Sequence, residues 1–255
     1  MKLHFRKAGS GNPLIIVHGL FGSGDNWQSL AKKFSENFTV YAIDLRNHGR
    51  SPHGTPMNFD VMADDLLELC KEEKLHGVSM IGHSLGGKAI LRFAQLNGLV
   101  AEKLLVADIG VKKYEPHHTH IFEALLAVNF ESINSRKEVE EILSAHIAEI
   151  SVRQFLLKNL YWKESGKLAW RFNLEVLHQS SNEMNAALPS KQIVAEALFV
   201  RGVNSLYIND EDWPAIRDMI SQASLQTIEG AGHWVHADAP EEFFRIAVEF
   251  FRSGN

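Results

Sequence analysis

Four short runs of the chain are apolar at almost every position rather than at alternate ones: residues 14–17, 39–43, 78–81 and 103–107. A strand with one wet face alternates polar and apolar side chains, so unbroken runs of this length belong to strands buried on both faces, as in a parallel sheet. Between the runs, residues 27–34, 58–74 and 86–97 carry apolar side chains at helical spacing. Strand, helix, strand in that order gives right-handed crossovers and a wound α/β sheet. The runs stop at His18-Gly19, Asp44, Gly82 and Asp108.

The alternation breaks near Gly110. Residues 112–191 read as helical segments with no convincing strand. Val139, Ile142, Leu143, His146 and Ile150 share one helical face, and Leu156, Leu157, Leu160 and Tyr161 form a second short stripe. The strand pattern resumes at 197–200. A helix follows over 213–221, then a strand over 225–228. Phe243, Phe244, Ala247, Phe250 and Phe251 close the chain at helical spacing. Pro240, Glu241 and Glu242 suit the first turn of that helix and its dipole. The expected architecture is one α/β core domain, residues 1–111 and 192–255, with a mostly parallel wound sheet. A helical cap, residues 112–191, is inserted after the fourth predicted parallel strand. The 255 residues are enough for such a core without disulfide or metal staples.

The charge balance narrows the partners. With 26 basic and 31 acidic residues the net charge is −5, and neither sign forms a long block. Nucleic acid, which needs a concentrated basic face, is not an expected partner. The lone Cys70 sits in an amphipathic helical run without an activating neighbour, so it reads as a buried structural thiol. The N-terminus lacks the apolar stretch of a signal peptide. No run approaches the roughly 18 apolar residues of a membrane helix. A cytoplasmic protein without a membrane span is the expectation.

Gly82-His83-Ser84-Leu85-Gly86 fits G-x-S-x-G between a predicted strand and a predicted helix, the context that gives this pattern meaning. A strand-to-helix turn this tight leaves no room for side chains two positions either side of the serine. The turn lifts the Ser84 hydroxyl above the sheet and sets it at a helix N-terminus. The Leu85 N–H and the helix dipole then face any oxyanion formed there. His83 is expected to point away and to serve packing.

A serine hydroxyl needs a base. Among 13 histidines, His233 is favoured, because Gly230-Ala-Gly-His233-Trp234 follows the last predicted strand and so reaches the sheet's C-terminal edge. His236 lies nearer the final helix and reads as structural. His117, His118 and His120 cluster, but no acidic or cysteine set completes a zinc signature, so no metal is expected. Tetrahedral intermediates need a second N–H besides Leu85. The glycine-rich loop His18-Gly19-Leu20-Phe21-Gly22 can supply it, from Leu20 or alternatively Phe21. For the acid that orients the histidine, Asp108 ends the run at 104–107 and can reach His233 from a neighbouring strand. Asp210 and Asp212 are later alternatives better suited to helix capping.

Taken together, these segments resemble the α/β-hydrolase superfamily over essentially the whole chain. Asp44-Leu-Arg-Asn-His-Gly-Arg-Ser-Pro52, Gly82-His-Ser-Leu-Gly-Gly-Lys88, Arg201-Gly-Val-Asn-Ser205 and Ala231-Gly-His-Trp-Val-His-Ala237 are more narrowly similar to the small bacterial esterases of the YbfF type, related to mitochondrial abhydrolase-domain proteins. Val203 departs from that pattern, where glycine is expected. The resemblance implies hydrolysis of carboxylic esters or acyl thioesters through an acyl-enzyme, with no cofactor. It also implies Asp108 as the acid, with Ser205, which stands where many α/β hydrolases carry the aspartate, as a fourth, hydroxyl member of the network.

Two other classes compete. One is different chemistry on the same fold: a carbon–carbon bond hydrolase, a lyase or a cofactor-free perhydrolase. The other is a non-catalytic binding module, which predicts a missing triad member. Ser84 argues against dehalogenase and epoxide-hydrolase chemistry, which place a carboxylate at the elbow. The expected partner is a small acyl ester or an acyl-CoA-like molecule. Candidate substrate contacts are Phe21, Tyr114, Phe122, Phe155, Tyr207 and Trp234. Leu125, Leu126, Trp162 and Trp170 are further apolar residues of the insert that could line an acyl pocket.

Overall fold

The computed structural model describes residues 1–116 and 118–253. A short strand that the sequence pattern does not reveal, β1 (Phe5–Ala8), precedes the four apolar runs. Those runs form β2 (Pro13–Val17), β3 (Thr39–Ile43), β4 (Val78–His83) and β5 (Ala101–Ala107). Between them lie α1 (Gln28–Phe34), α2 (Phe59–Glu72) and α3 (Leu85–Leu96). The insert follows as α4 (Thr119–Leu126), α5 (Arg136–Ser144), α6 (Ile150–Leu157), β6 (Leu160–Trp162), β7 (Leu168–Trp170), α7 (Leu174–Gln179) and α8 (Ser181–Asn185). The core resumes with β8 (Glu196–Gly202), α9 (Trp213–Met219), β9 (Ala223–Ile228), α10 (Val235–Asp238) and α11 (Pro240–Arg252).

The main sheet has seven strands in the order β1-β3-β2-β4-β5-β8-β9. Only the β1–β3 pairing is antiparallel. The unbroken apolar runs have the cause expected of them. On β2, Ile15 and Val17 join one hydrophobic cluster with α2 and α3, while Leu14 and Ile16 join the opposite one with α1 and α11. Each face therefore needs an apolar residue at every position. The strand β1 escaped the sequence reading because it lies at the edge, and three of its four side chains are exposed.

The insert corrects the expectation of an all-helical segment. Strands β6 and β7 form an antiparallel hairpin, with Lys163 N–H bonded to Lys167 O at 2.8 Å across the turn. Leu160 and Tyr161 belong to β6 rather than to a helical stripe. Helix α5 stops at Ser144, so His146 and Ile150 do not share its face, and Ile150 opens α6 with 65% of its surface exposed. Strands of three residues are too short for a period of two to be told from a helical turn. Among the described residues, no helix is long and apolar enough to cross a membrane.

The loop after β3 is anchored by a buried ion pair. Arg46 Nε and Nη2 donate to the two oxygens of Asp65 on α2, at 2.6 and 2.8 Å, and Nη1 donates to Pro56 O at 2.8 Å. Asp65 is 1% and Arg46 7% exposed, so neither charge has water as an alternative partner. Removing one member of such a pair strands the other. Asp65→Asn is therefore expected to lower unfolding free energy by about 3–5 kcal/mol in chemical denaturation. A loss well below 1 kcal/mol would show that the pair does not anchor the loop.

Candidate active site

The site is built at the C-terminal ends of two adjacent strands. Ser84 follows β4 with φ +51° and ψ −117°, and Asp108 follows β5, also with φ +51°. A left-handed backbone is uncommon outside glycine and asparagine, and persists where the surroundings impose it. Here the next strand over does so: Ser84 N–H donates to Ala107 O at 3.0 Å, and Asp108 N–H donates to Val200 O at 2.8 Å. The elbow also needs its glycines for space. A Cβ on Gly82 would sit 2.4 Å from Gly86 O, and one on Gly86 would sit 2.5 Å from the carbonyl oxygens of Val17 and His18. Ser84 occupies the N-cap position of α3 without using its hydroxyl as a cap. The hydroxyl stays available at the positive end of the helix dipole.

Asp108 is wholly buried and collects three donors. His233 Nδ1–H donates to Oδ2 at 2.7 Å, the Ser205 hydroxyl donates to the same oxygen, and Gly202 N–H donates to Oδ1 at 3.3 Å. Burial pushes the carboxyl up to about 7. The hydrogen bonds from Ser205 and Gly202 and the Arg201 charge pull the other way. Tyr207 stacks on the His233 ring, with centroids 3.8 Å apart and planes 16° apart. The alternative acids are engaged elsewhere. Asp210 pairs with Arg201 at 2.8 Å, and Asp212 takes Lys112 at 2.7 Å and the Asn209 N–H at 2.9 Å. The exposed Val203 keeps the strand-like bond from its N–H to Ile228 O at 3.0 Å, leaving the loop that carries Ser205 in register.

One histidine differs from its expected placement. His83 does not point away: its Nε2–H donates to His233 O at 2.9 Å, and its ring lies 4.7 Å from that of His233. Being the last residue of β4, it alternates to the side on which the His233 loop descends. Burial drives its pKa well down, so it stands there as a neutral spacer. His236 is stacked on Trp27, with ring centroids 4.0 Å apart.

The loop from His18 to Gly22 passes beside Ser84 and lines the same cavity. Gly19 O accepts from His18 Nδ1–H at 2.7 Å and from Gly22 N–H at 2.9 Å. His18 must donate through Nδ1, because its Nε2 accepts from Leu45 N–H at 3.0 Å. The other end of that trans peptide is the Leu20 N–H, which is thereby turned the opposite way. It has no acceptor among the described residues. Phe21 is excluded as the alternative donor, since its N–H is spent on His48 Nε2 at 3.2 Å. Gly19 lets the loop approach, as a Cβ there would stand 3.3 Å from Ser84 Cβ.

Two cavities meet at Ser84. The first is lined by Phe21, Asn26, Val152, Phe155, His233 and Trp234 among others. The second is lined by Leu85, Ile109, Tyr114, Phe122, Met184 and Tyr207 among others, and Leu20 borders both. All six expected substrate contacts thus line one cavity or the other. Leu125, Leu126, Trp162 and Trp170 line neither: Leu125 and Trp170 are packed in the core, and Leu126 and Trp162 are half exposed on the surface. Of the histidine cluster, His117 lies outside the described residues, and His118 borders both cavities. Among the described residues no group of three His, Cys, Asp or Glu could hold a metal ion. Cys70 is buried, and burial pushes its thiol up to about 12.

Sequence reasoning missed Lys88, His48 and Asn159. Lys88 is buried beside the second cavity, and His48 and Asn159 bond to the loop that carries Leu20. Only Lys88 and His48 carried a local signal, lying inside motifs noted for other reasons.

The arrangement agrees with what the chain is similar to. Residues 14–246 match the alpha/beta hydrolase family. The solved structure of a marine microorganism esterase superposes with a TM-score of 0.96 at 42% identity, covering 98% of this chain and 99% of that one. Esterase YbfF of Escherichia coli is 35% identical over 96% of this chain and 97% of its own length. The sn-1-specific diacylglycerol lipase ABHD11 of Xenopus tropicalis is 36% identical over 95% of this chain and 79% of its own.

Proposed function

The chain belongs to the alpha/beta hydrolase family, and from that membership we propose that it cleaves carboxylic esters or acyl thioesters through an acyl-enzyme on Ser84. The observation that carries the reading is the hydrogen-bonded run from Asp108 to His233 at the edge where Ser84 stands free. In this reading His233 Nε2 takes the Ser84 proton as Oγ attacks the substrate carbonyl. Asp108 holds the Nδ1–H and balances the imidazolium. The negative oxygen of the tetrahedral intermediate accepts from the N–H groups of Leu20 and Leu85. Collapse expels the alcohol or thiol, which takes the proton from His233. Water, deprotonated by the same imidazole, then releases the acid and restores Ser84.

The two cavities support a division of the substrate between acyl and leaving groups, with residues 112–191 acting as a cap. That segment supplies Phe122 to one cavity and Phe155 to the other. The names of the relatives, esterase and diacylglycerol lipase, favour an oxygen ester.

A fluorophosphonate probe is expected to label the wild type and not Ser84→Ala, and labelling that survives the substitution would refute the nucleophile. Asp108→Asn is expected to cost about 10⁴ in kcat, the order seen when a triad acid is lost. Asp210→Asn should stay near the wild type, and the reverse ranking would move the acid. Ser205→Ala removes a hydrogen bond that favours the ionised Asp108. A bond to a charged group is worth about 1.5–3 kcal/mol, and one pKa unit about 1.4 kcal/mol. Protonation of the Asp108–His233 pair then persists to higher pH. The acid limb of kcat/KM should move up by about one unit, and an unmoved or lowered limb would contradict the assigned role. Finally, Phe122→Ala and Phe155→Ala should alter acyl-chain preference in a graded ester panel. An unchanged profile in both folded variants would leave the cap without a part in selection.

A further inference from the structure

The loop that carries Leu20 N–H is held in an unfavourable shape, and two of the three holds on it at Phe21 come from the insert. Gly19, Leu20, Phe21 and Gly22 form a turn whose third residue has φ +59°. Turns of that form favour glycine there, and a bulky side chain is an outlier that persists only where its surroundings fix it. Phe21 is fixed on three sides. Its N–H is taken by His48 Nε2, whose ring is locked by Nδ1–H donating to Arg46 O at 2.9 Å. Its ring packs at 5.2 Å against Phe122 and at 5.0 Å against Phe172, both from the insert. Its carbonyl accepts from Asn159 Nδ2 of the insert at 2.8 Å.

Asn159 is 4% exposed, and its Nδ2, besides the shorter bond to Phe21 O, donates to Leu156 O of α6 at 3.3 Å. Its backbone carbonyl accepts from Arg171 N–H at 2.9 Å, which ties it to the hairpin of β6 and β7, so its side chain is aimed by ordered structure on both sides. Without it, the peptide following Phe21 keeps a buried carbonyl and loses its partner. The turn is then held at Phe21 by His48 and the ring contacts alone, which lowers the cost of relaxing toward a right-handed Phe21 and of tilting the Gly19–Leu20 peptide with it. We infer that Asn159 is a positioning residue for the oxyanion site, through which docking of the insert sets the direction of the Leu20 N–H. This inference rests on the acyl-enzyme reading, because only a tetrahedral oxyanion needs that N–H.

The test separates transition-state stabilisation from packing. A trifluoromethyl ketone forms a hemiketal with a nucleophilic serine: the Oγ–carbon bond forms, the proton passes to His233, and the former carbonyl oxygen becomes an oxyanion. Asn159→Leu removes the donor at similar size. It is expected to lower kcat by about tenfold to a hundredfold, less than the ~10²–10³ for deleting a donor outright, with KM little changed. Its affinity for the ketone should fall by the same factor as kcat/KM. Asn159→Asp, which sets a carboxylate against the Phe21 carbonyl, provides a second variant should the first fold poorly, and should behave alike. His48→Phe acts on the same residue, so combining it with Asn159→Leu should cost less than the product of the two separate losses. A folded Asn159 variant with wild-type kcat and ketone affinity would overturn the inference, as would a rise in KM alone. A wild type that neither turns over any ester nor binds the ketone would overturn the acyl-enzyme reading itself, and the inference with it.

Discussion

Ser84 and Asp108 leave neighbouring parallel strands with the same left-handed φ of +51°, and the rest of the site depends on that pair of turns. Each turn is closed by a backbone N–H that reaches across to the next strand, from Ser84 to Ala107 and from Asp108 to Val200. The sheet order β4-β5-β8 thus puts Ser84, Asp108 and the Ser205 loop on consecutive strand ends. The crowding is severe enough that Gly82 and Gly86 meet carbonyl oxygens where side chains would be. A helix can start at Leu85 only because those positions are bare.

Around this frame the histidines divide by burial rather than by sequence. His18 and His48 are fully enclosed, and burial brings them down to about 4 and about 3, so both are neutral donors and acceptors with fixed tautomers. They shape the loop at Gly19–Gly22 with hydrogen bonds that a charged imidazolium could not make, since it offers no lone pair. His83 and His236 are likewise buried and pushed well down. His233 differs in having a carboxylate at its Nδ1, which leaves the opposite nitrogen toward the cavity that Ser84 lines. In a site so rich in imidazole, the buried aspartate sets His233 apart from the other rings.

How much of this was legible follows from range. Buried parallel strands advertise themselves locally, because a run of four or five apolar residues is enough, so β2 to β5, β8 and the elbow at Ser84 could be read directly. Asp108 was readable because it ends such a run, and His233 because it follows the last one. What failed was either too short or too distant. The strands β6 and β7 have three residues each, and β1 keeps only one partly covered side chain. His83 was misjudged because its neighbour, the His233 loop, lies 150 positions away. Asn159 bonds to a residue 138 positions away, and nothing near it in the sequence marks it.

The attachments of the insert explain why distant residues matter here. At its roots, Lys88 Nζ on α3 donates to Lys112 O and Ala186 O, both at 2.6 Å, with the faces of Tyr114 and Phe59 nearby. Farther along, Asn159 reaches Phe21, and Asn173 N–H donates to Asn47 O at 2.8 Å. Each core partner belongs to an element that builds the site: the helix beginning at Leu85, the loop carrying Leu20, and the loop carrying His48. Phe21 and Asn47, the two core loop residues that receive these bonds from the insert, both have left-handed backbones, at +59° and +62°. Asparagine tolerates that conformation, and Asn47 is also held by Pro52 and Gly54 of the core, so the strain that needs contacts on more than one side lies at Phe21. The insert therefore bears on the geometry of the site in two ways: through side chains such as Phe122 and Phe155 that line the cavities, and through the bonds it makes to the loops beside Ser84.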